Sequence, residues 1–492
     1  MPVDSQHQEY SNNLPKWTIV RDCDEGSQAI KKRSKGGSNT LSGMAGTAYL
    51  PAPNSSDTSD ENRARYYAYL ERANFVNFTG HTKEGLIGLV FRKKTNIEAP
   101  TDIEYLVENA NGDGLTTDQM IKDATGEVLM AGRYGLLTEY PDAPEGLTEA
   151  QVRALELRAN IISWPAESVI NWRSQTIGGI KKLSMVVLVE PREITEDGFE
   201  YKIVTYHRVL LLKEIDGKLT YVQNVYDDKG SLEVWKTGDQ EDGEDGYTGD
   251  IVPRKNDGST WSEIPFTFIG SINNDAKVDK APLYDIAEVN ISHYRNSADY
   301  EESSFMVGQP TLVLSGLTAS WVKDVLDGKI GLGSRGAIML PVGGAADLMQ
   351  ADPNQMPSKG MEMKEAQITN IGAQIIKDSG SNEAEETVRI RFIGQNSKLG
   401  SIIQNVESAF LQAYAWAQEF QGGTGEAEIT INREFYPKSI DPQAIMANIA
   451  LLDRGVIAKK DLRTTLRASE LIDPDRTDDE IDGEAEEASP IT

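Results

Sequence analysis

Cysteine and histidine are scarce in this chain of 492 residues, which contains one cysteine and four histidines. A single cysteine, Cys23, cannot form a disulfide within the chain, and a buried or surface thiol is the interpretation that we favour for it. The histidines are scattered singly along the sequence at His7, His81, His207 and His293. Their separation gives no zinc-ligand cluster, so we expect no metal site.

Long apolar runs are also missing. The longest, such as MVVLV at 185–189, fall far short of the roughly 18 residues that span a bilayer. The first ten residues, MPVDSQHQEY, are polar. We therefore expect neither an export signal nor a membrane segment, and no membrane partner.

Basic residues are outnumbered: 49 lysines and arginines face 77 aspartates and glutamates, a formal net charge of −28. Such a surface repels nucleic acid phosphates wherever basic residues are not locally concentrated. This argues against a conventional DNA-gripping protein. It is compatible with a protein past which DNA slides.

Catalytic and cofactor motifs are absent: there is no Walker lysine motif, G-x-S-x-G elbow or H-E-x-x-H. Gly331, Gly333 and Gly336 spell G-x-G-x-x-G, but a predicted helix precedes them and a strand follows, the reverse of a dinucleotide site. A turn is the favoured interpretation. Paired carboxylates are too abundant for any pair to be informative, so we expect neither an enzyme nor a cofactor.

The acidic run DQEDGEDGYTGD at 239–250 resembles a calcium loop in composition only. Counted from Asp239, the fifth position is Gly243, where an oxygen ligand is required, and the sixth is Glu244, where glycine is required. We interpret the run as a solvated hairpin tip.

Periodicity predicts an α+β chain of several structural units, as its length also requires. The first 46 residues are predicted to be a flexible arm. Helices follow, including one from Thr116, whose spacing to Gln119 is typical of a capping box. Residues 184–236 alternate as an antiparallel meander. The C-terminal half predicts a long helix, a small α/β insert, a second helix, a polar loop and a still longer helix with a heptad-like apolar stripe from Val388 to Ala417.

Three stretches carry a resemblance to a known family: RARYYAYLERANFVNFTGHTKEGLIGLVFRK (63–93), LYDIAEVNISHYRNSADYEESSFMVGQPTLVLSG (283–316) and EAEETVRIRFIGQNSKLGSIIQNVESAFLQAYAWA (383–417). They resemble portal proteins of tailed bacteriophages, also called head-tail connectors. The likeness extends from about Tyr49 to Leu466, and leaves out the N-terminal arm and the acidic C-terminal tail.

The resemblance implies a portal-type fold with wing, stem, clip and crown, assembled as a ring of about twelve subunits. The implied domains are a wing (47–282), stem helix 1 (283–307), a clip (308–356), stem helix 2 (357–377), a tunnel loop (378–384), a long wing helix (385–425) and a crown (426–471). The flexible arm (1–46) precedes them. The tail (472–492) is a block of acidic residues with almost no apolar ones, which predicts disorder.

The resemblance also implies a function. Such a ring lies at one capsid vertex of the virion and is assembled in the host cytoplasm. It is the channel for packaging and ejection of double-stranded DNA, without sequence-specific binding. The implied partners are the terminase motor, a head-tail adaptor and a major capsid or scaffolding protein.

Two sets of site residues follow from the resemblance. The tunnel loop, which would face moving DNA, contains Asp378, Ser379, Gly380, Ser381, Asn382 and Glu383. In the clip, Lys323, Lys329 and Arg335 are candidates for contact with DNA or with the adaptor or terminase. An ordinary helix connection and solvating surface lysines are the plain alternatives.

Two other classes of protein stay open. Another ring-forming head-tail adaptor or baseplate component would also be acidic and free of catalytic motifs. An acidic enzyme, for example a glycan hydrolase with two carboxylates, would be a monomer with a concave pocket.

Overall fold

The computed structural model describes residues 2–35, 49–54, 56–141, 157–195, 198–227, 229–231, 250–255, 257–308, 311–324, 340–350, 354–376, 398–433, 435, 442–468, 471–473 and 476–487. The helices within these ranges are α1 (Gln8–Glu25), α2 (Ser27–Lys35), α3 (Asp60–Arg72), α4 (Phe78–Val90), α5 (Tyr105–Glu108), α6 (Thr117–Ala131), α7 (Tyr284–Val307), α8 (Ala319–Asp324), α9 (Met356–Ile376), α10 (Lys398–Gln421), α11 (Pro442–Asp453), α12 (Lys459–Ala468) and α13 (Asp478–Glu487). The strands are β1 (Asn96–Glu98), β2 (Arg133–Glu139), β3 (Asn160–Pro165), β4 (Val169–Ile177), β5 (Ile180–Thr195), β6 (Tyr201–Ile215), β7 (Lys218–Tyr226), β8 (Phe266–Gly270), β9 (Thr311–Ser315), β10 (Ala345–Met349) and β11 (Glu428–Thr430).

The predicted capping box opens α6. The Thr116 hydroxyl accepts a hydrogen bond from the Gln119 backbone N–H at 3.2 Å, and the Gln119 side chain accepts one from the Thr116 backbone N–H, also at 3.2 Å. At the other end Gly132 adopts a φ of 69°, which a residue with a side chain rarely tolerates. The chain therefore leaves the helix sharply and enters β2.

Two antiparallel sheets form the middle of the chain. One has the order β3-β2-β8, and α6 and α10 pack against its strands. The other has the order β4-β5-β6-β7. It confirms the predicted meander over the described residues and is tightened by a turn at Asp216 and Gly217, both with positive φ. Residues 232–249, which include the last predicted strand and most of the acidic run, lie outside the described part of the chain.

The apolar stripe of α10 is the largest helical contribution to the core. Within the described helix, Leu399, Ile403, Val406, Phe410, Ala413 and Ala417 are all buried. The spacing of three to four residues places these side chains on one face, toward β2, β8 and α6. The first predicted members of the stripe, Val388 and Phe392, lie outside the described residues.

The prediction of a flexible N-terminal arm was wrong for residues 8–35. Helices α1 and α2 are folded against the body, with Trp17, Val20 and Ile30 buried. The Trp17 indole donates a hydrogen bond to the Ala131 carbonyl at 2.8 Å. Only a few side chains of α1, most of them large and apolar, are buried, and the remaining residues are mostly polar. The sequence of this segment therefore looks polar overall, which is why we predicted an arm. The Cys23 thiol is buried, one of the two environments left open above, and burial raises its pKa.

The acidic tail was predicted to be disordered, and residues 478–487 instead form α13. The prediction considered only the repulsion within the acidic block. In the structure Arg463 and Arg467 of α12 lie against it and form ion pairs with Asp482 and Asp478. These cations neutralise part of the repulsion that would otherwise keep the segment extended.

Candidate functional site: paired helices around a small insert

Helix α7 is held in the body by a buried amide. The Asn290 side-chain oxygen accepts hydrogen bonds from the backbone N–H and the hydroxyl of Thr79, both at 3.1 Å, and its NH₂ group donates to the Val76 carbonyl at 2.9 Å. Thr79 lies in the first turn of α4, where backbone N–H groups have no partner within the helix. Asn290 thus joins the middle of α7 to the start of α4.

Further contacts with the body follow along α7. The Ser297 hydroxyl accepts a hydrogen bond from the Asn74 backbone N–H at 3.0 Å, and Asp299 accepts one from the Tyr69 hydroxyl at 2.7 Å. Arg72 pairs with Glu302 and lies over the ring of Phe305. Beyond these residues the helix leaves the body, and Met306 is 57% exposed.

Helix α9 packs along α7. Its closest polar contact joins the His293 Nε2 atom to a Glu365 carboxylate oxygen at 3.3 Å. Ile368 is buried between the helices and the body. At Gly360 a Cβ atom would lie 2.1 Å from the amide nitrogen of Asn296, so the absence of a side chain allows the close approach. Burial lowers the pKa of His293, and Glu365 opposes this effect.

The outer face of α9 is open along its described length. Met356, Lys359, Glu362, Met363 and Gln367 are exposed. Met356 and Met363 are 73% and 65% exposed. In an isolated chain, one side of α9 therefore contacts α7 and the other contacts solvent.

In its described residues, 311–324 and 340–350, the insert between α7 and α9 consists of one pair of strands and the short helix α8. Its strands β9 and β10 pair antiparallel, with Thr311 opposite Met349 and Ser315 opposite Ala345. Every residue of β10 is exposed, and Leu348 and Met349 are 58% and 66% exposed. A two-stranded sheet is marginal in water without a third strand or a covering element.

A groove of about 570 Å³ lies where the insert meets the two helices. It is lined by Tyr300 and Ser303 of α7, Gln350 after β10, and Ser358 and Glu362 of α9. The Gln350 side chain donates a hydrogen bond to the Val307 carbonyl at 3.3 Å. Most of the lining side chains are polar and uncharged; Glu362 and Lys359 are charged, and Val307 is apolar.

The predicted site residues are placed only in part. Lys323 is exposed near the end of α8. Lys329 and Arg335 lie outside the described residues, as does the G-x-G-x-x-G run. The tunnel loop, Asp378 to Glu383, also lies outside them, between the end of α9 and the start of α10.

The structure shows side chains that sequence reasoning missed. The sequence gave no indication that Asn290 is buried or that His293 contacts Glu365. A single polar residue in a helix rich in polar residues is ordinarily expected to face solvent. Arg133 is buried between two aromatic rings: its guanidinium carbon lies 3.9 Å from the ring centre of Trp172 and 3.6 Å from that of Phe268. No sequence pattern indicated this contact.

Two features are absent from the described residues. No group of three or more histidine, cysteine, aspartate or glutamate side chains in the described ranges could hold a metal ion. No helix in the part of the chain that the structure describes is long and apolar enough to cross a membrane.

Comparison with known proteins gives one family match and two similar structures. The family model described as "Domain of unknown function (DUF4055)" matches residues 282–421, which begin just before α7 and end with α10. The chain is also similar to a structure titled "Virion of native gene transfer agent (GTA) particle", at 13% identity and a TM-score of 0.39, over 79% of this chain and 89% of that chain. A structure titled "Neck of empty GTA particle computed with C6 symmetry" is similar at 12% identity and a TM-score of 0.40, over 80% of this chain and 90% of that chain. No curated protein matches this chain.

Proposed function

We propose that this chain is a portal protein of a tailed bacteriophage or phage-like particle. In this role it is a structural subunit, not an enzyme, of a ring at one capsid vertex through which double-stranded DNA is packaged and ejected. The helix–insert–helix unit corresponds to stem and clip, and the insert is the docking platform for the terminase motor and later for a head-tail adaptor.

The observation that carries the proposal is the uncovered insert. Strands β9 and β10, the described strands of the insert, present apolar side chains, among them Val313 and Leu348, to solvent. A sheet of two strands is marginal in water by itself. The outer face of α9 is equally uncovered. In a closed ring each subunit offers one surface to the next and a different surface to the previous one, so both faces can be buried without a special partner.

The charge of the chain supports a channel for DNA. A net charge of −28 keeps phosphates from binding tightly over most of the surface. DNA moving through the bore must not be held by it. The tunnel-loop residues Asp378 to Glu383 and the clip cations Lys323, Lys329 and Arg335 keep their predicted roles within this proposal.

Native mass spectrometry combined with negative-stain microscopy of the purified chain tests the proposal. Twelve copies of a 54.1 kDa chain give a particle of about 650 kDa with a central hole. A chain that remains a 54.1 kDa monomer at high concentration contradicts the proposal.

A pair of variants tests the observation itself. Leu348→Glu with Met349→Glu places two charges on the exposed strand of the insert and should weaken or abolish the ring. Ile180→Glu is the control, because Ile180 is 63% exposed at a turn of the meander, in another part of the sheet structure. Rings of unchanged mass from the insert variant would show that the insert is not a subunit contact.

The second candidate is another ring-forming head-tail adaptor or baseplate protein. The same uncovered insert favours it, since any ring would cover those faces. Labelled particles separate the two: a portal lies at the capsid vertex within the shell and is present before DNA is packaged, whereas an adaptor joins only after packaging.

A further inference from the structure

Helix α12 carries a basic stripe. Lys459, Lys460, Arg463 and Arg467 are at successive positions i, i+1, i+4 and i+8. At about 100° per residue these four positions fall within about 100° of arc, and at 1.5 Å per residue they extend over about 12 Å. In a chain with a net charge of −28 this is a local concentration of positive charge.

The acidic helix α13 lies on that stripe. Arg467 donates a hydrogen bond to an Asp478 carboxylate oxygen at 2.5 Å, and Arg463 donates one to Asp482 at 3.1 Å. The two arginine side chains are only 20% and 14% exposed as a result. Lys459 and Lys460 at the start of the stripe remain exposed.

Helix α13 depends on these contacts. Seven of its ten residues are acidic, and Gly483 lies inside it. A capping box between Thr477 and Glu480 starts the helix, but an isolated helix of this length is marginal in water. Its described side chains offer one large apolar residue, Ile481, so attachment to α12 is mainly ionic. Ion pairs at the surface are weak and are screened by salt.

A dense row of carboxylates over a basic stripe has the charge arrangement of a nucleic acid backbone. We propose that the basic stripe of α12 binds the phosphate backbone of duplex DNA, and that α13 occupies the stripe as a competitor within the same chain. Duplex DNA carries one negative charge per about 1.7 Å of its axis, a higher density than α13 offers. It can therefore displace α13 when present at high local concentration.

The inference concerns α12 and α13 alone and does not rest on the proposed ring. If the ring forms, each subunit contributes one stripe. Loss of ring formation is measured as a mass, and loss of stripe function as DNA binding, so a failure of one is distinguishable from a failure of the other.

Fluorescence anisotropy with a labelled 20-base-pair duplex of random sequence tests the proposal on the full-length chain. The unmasking variant, Asp478→Asn with Asp482→Asn, removes the two carboxylates that pair with the arginines. We expect it to bind DNA at least tenfold more tightly than the wild type at about 0.1 M salt. The slope of log K against log salt should steepen by about 2, because each phosphate contact contributes about 0.9.

Two further variants make the test specific. Arg463→Gln with Arg467→Gln, added to the unmasking variant, should return the affinity and the salt slope to wild-type values. Glu193→Gln with Glu214→Gln is the matched control, because it removes two exposed carboxylates from the meander and changes the net charge equally. The control should stay within twofold of the wild type.

Three results would overturn the proposal. One is an unmasking variant that binds the duplex no more tightly than the wild type, which would make α13 a structural contact only. Another is an equal gain in both variants, which would assign the effect to net charge. Preference of the unmasked stripe for poly-glutamate over the duplex would also overturn it, in favour of an acidic protein partner.

Discussion

Replacing Asn290 with leucine should loosen α7 in the body of the protein. The side chain is fully buried and makes three hydrogen bonds, two from Thr79 and one to Val76. Leucine has a similar size and shape but cannot form any of them. The Val76 carbonyl keeps its hydrogen bond from the Phe78 backbone N–H. The Thr79 backbone N–H and hydroxyl, both buried, would lose the acceptor that they share and be left unpaired.

The expected loss can be worked from these groups. An unpaired buried polar group costs about 1–3 kcal/mol, so two cost about 4 kcal/mol. Burying the leucine side chain in place of the amide returns about 2 kcal/mol. The free energy of local opening should therefore fall by about 2 kcal/mol, which corresponds to about thirtyfold faster amide exchange.

Hydrogen exchange of the amides in α4 and α7 measures this change directly and does not require two-state unfolding, which a chain of several units need not follow. Asn12→Leu is the control, since Asn12 is exposed on α1 and its side chain accepts only a hydrogen bond from Gln8. It should change exchange by less than about twofold. If Asn290→Leu changes exchange in α4 and α7 by less than about threefold, the buried amide does not hold α7 in place.

Three further predictions concern the fold around the site. Burial lowers the pKa of His293, so the unfolded chain takes up a proton at this residue more readily than the folded protein does. The melting temperature should therefore be constant above about pH 6.5 and fall as the pH drops below that value. His293→Phe should flatten this part of a plot of melting temperature against pH. A wild-type melting temperature that is constant from pH 7.5 to 5 would contradict this. Gly132→Ala should lower the melting temperature by several degrees, because φ is 69° and a Cβ atom would lie 2.7 Å from the backbone oxygen of Asp279. Gly88→Ala in α4 is the control: the space around Gly88 is open, and alanine should raise the free energy of unfolding by up to about 1 kcal/mol. Equal effects at the two glycines would refute the argument. Arg133→Met should change the free energy of unfolding in urea by less than about 1 kcal/mol, because burial, which lowers the pKa of the guanidinium to about 9, offsets its contacts with two aromatic rings. A loss above about 3 kcal/mol would show that the ring contacts of Arg133 and its hydrogen bond to the Ala276 carbonyl outweigh the cost of its burial.

Local signals in the sequence were dependable where the physics is local. The capping box at Thr116 and the glycine at 132 fix the two ends of α6, since each acts on backbone groups only a few residues away. The stripe of α10 predicted its buried face for the same reason, because helical periodicity alone brings those side chains together. The order of long helix, insert and second helix also followed from pattern.

Contacts between distant segments were not predictable in this way. Helix α1 was predicted to be part of a polar arm. Contacts such as the hydrogen bond from Trp17 to Ala131, more than a hundred positions away, make it part of the core. The acidic tail reads as disordered until α12 supplies the arginines that face it. In both cases the sequence contains both partners of the contact but does not show that they lie next to each other in the folded protein.

The sequence by itself determined the class of this protein: an acidic, motif-poor α+β chain of several units, with helices and turns set by local spacing and capping. Tertiary structure alone decided which polar residues are buried and paired, such as Asn290, and which apolar ones are left exposed, such as Leu348. The physical reason is that burial and pairing depend on which surfaces meet in space. Periodicity along one chain specifies a face, and the fold specifies what lies against it.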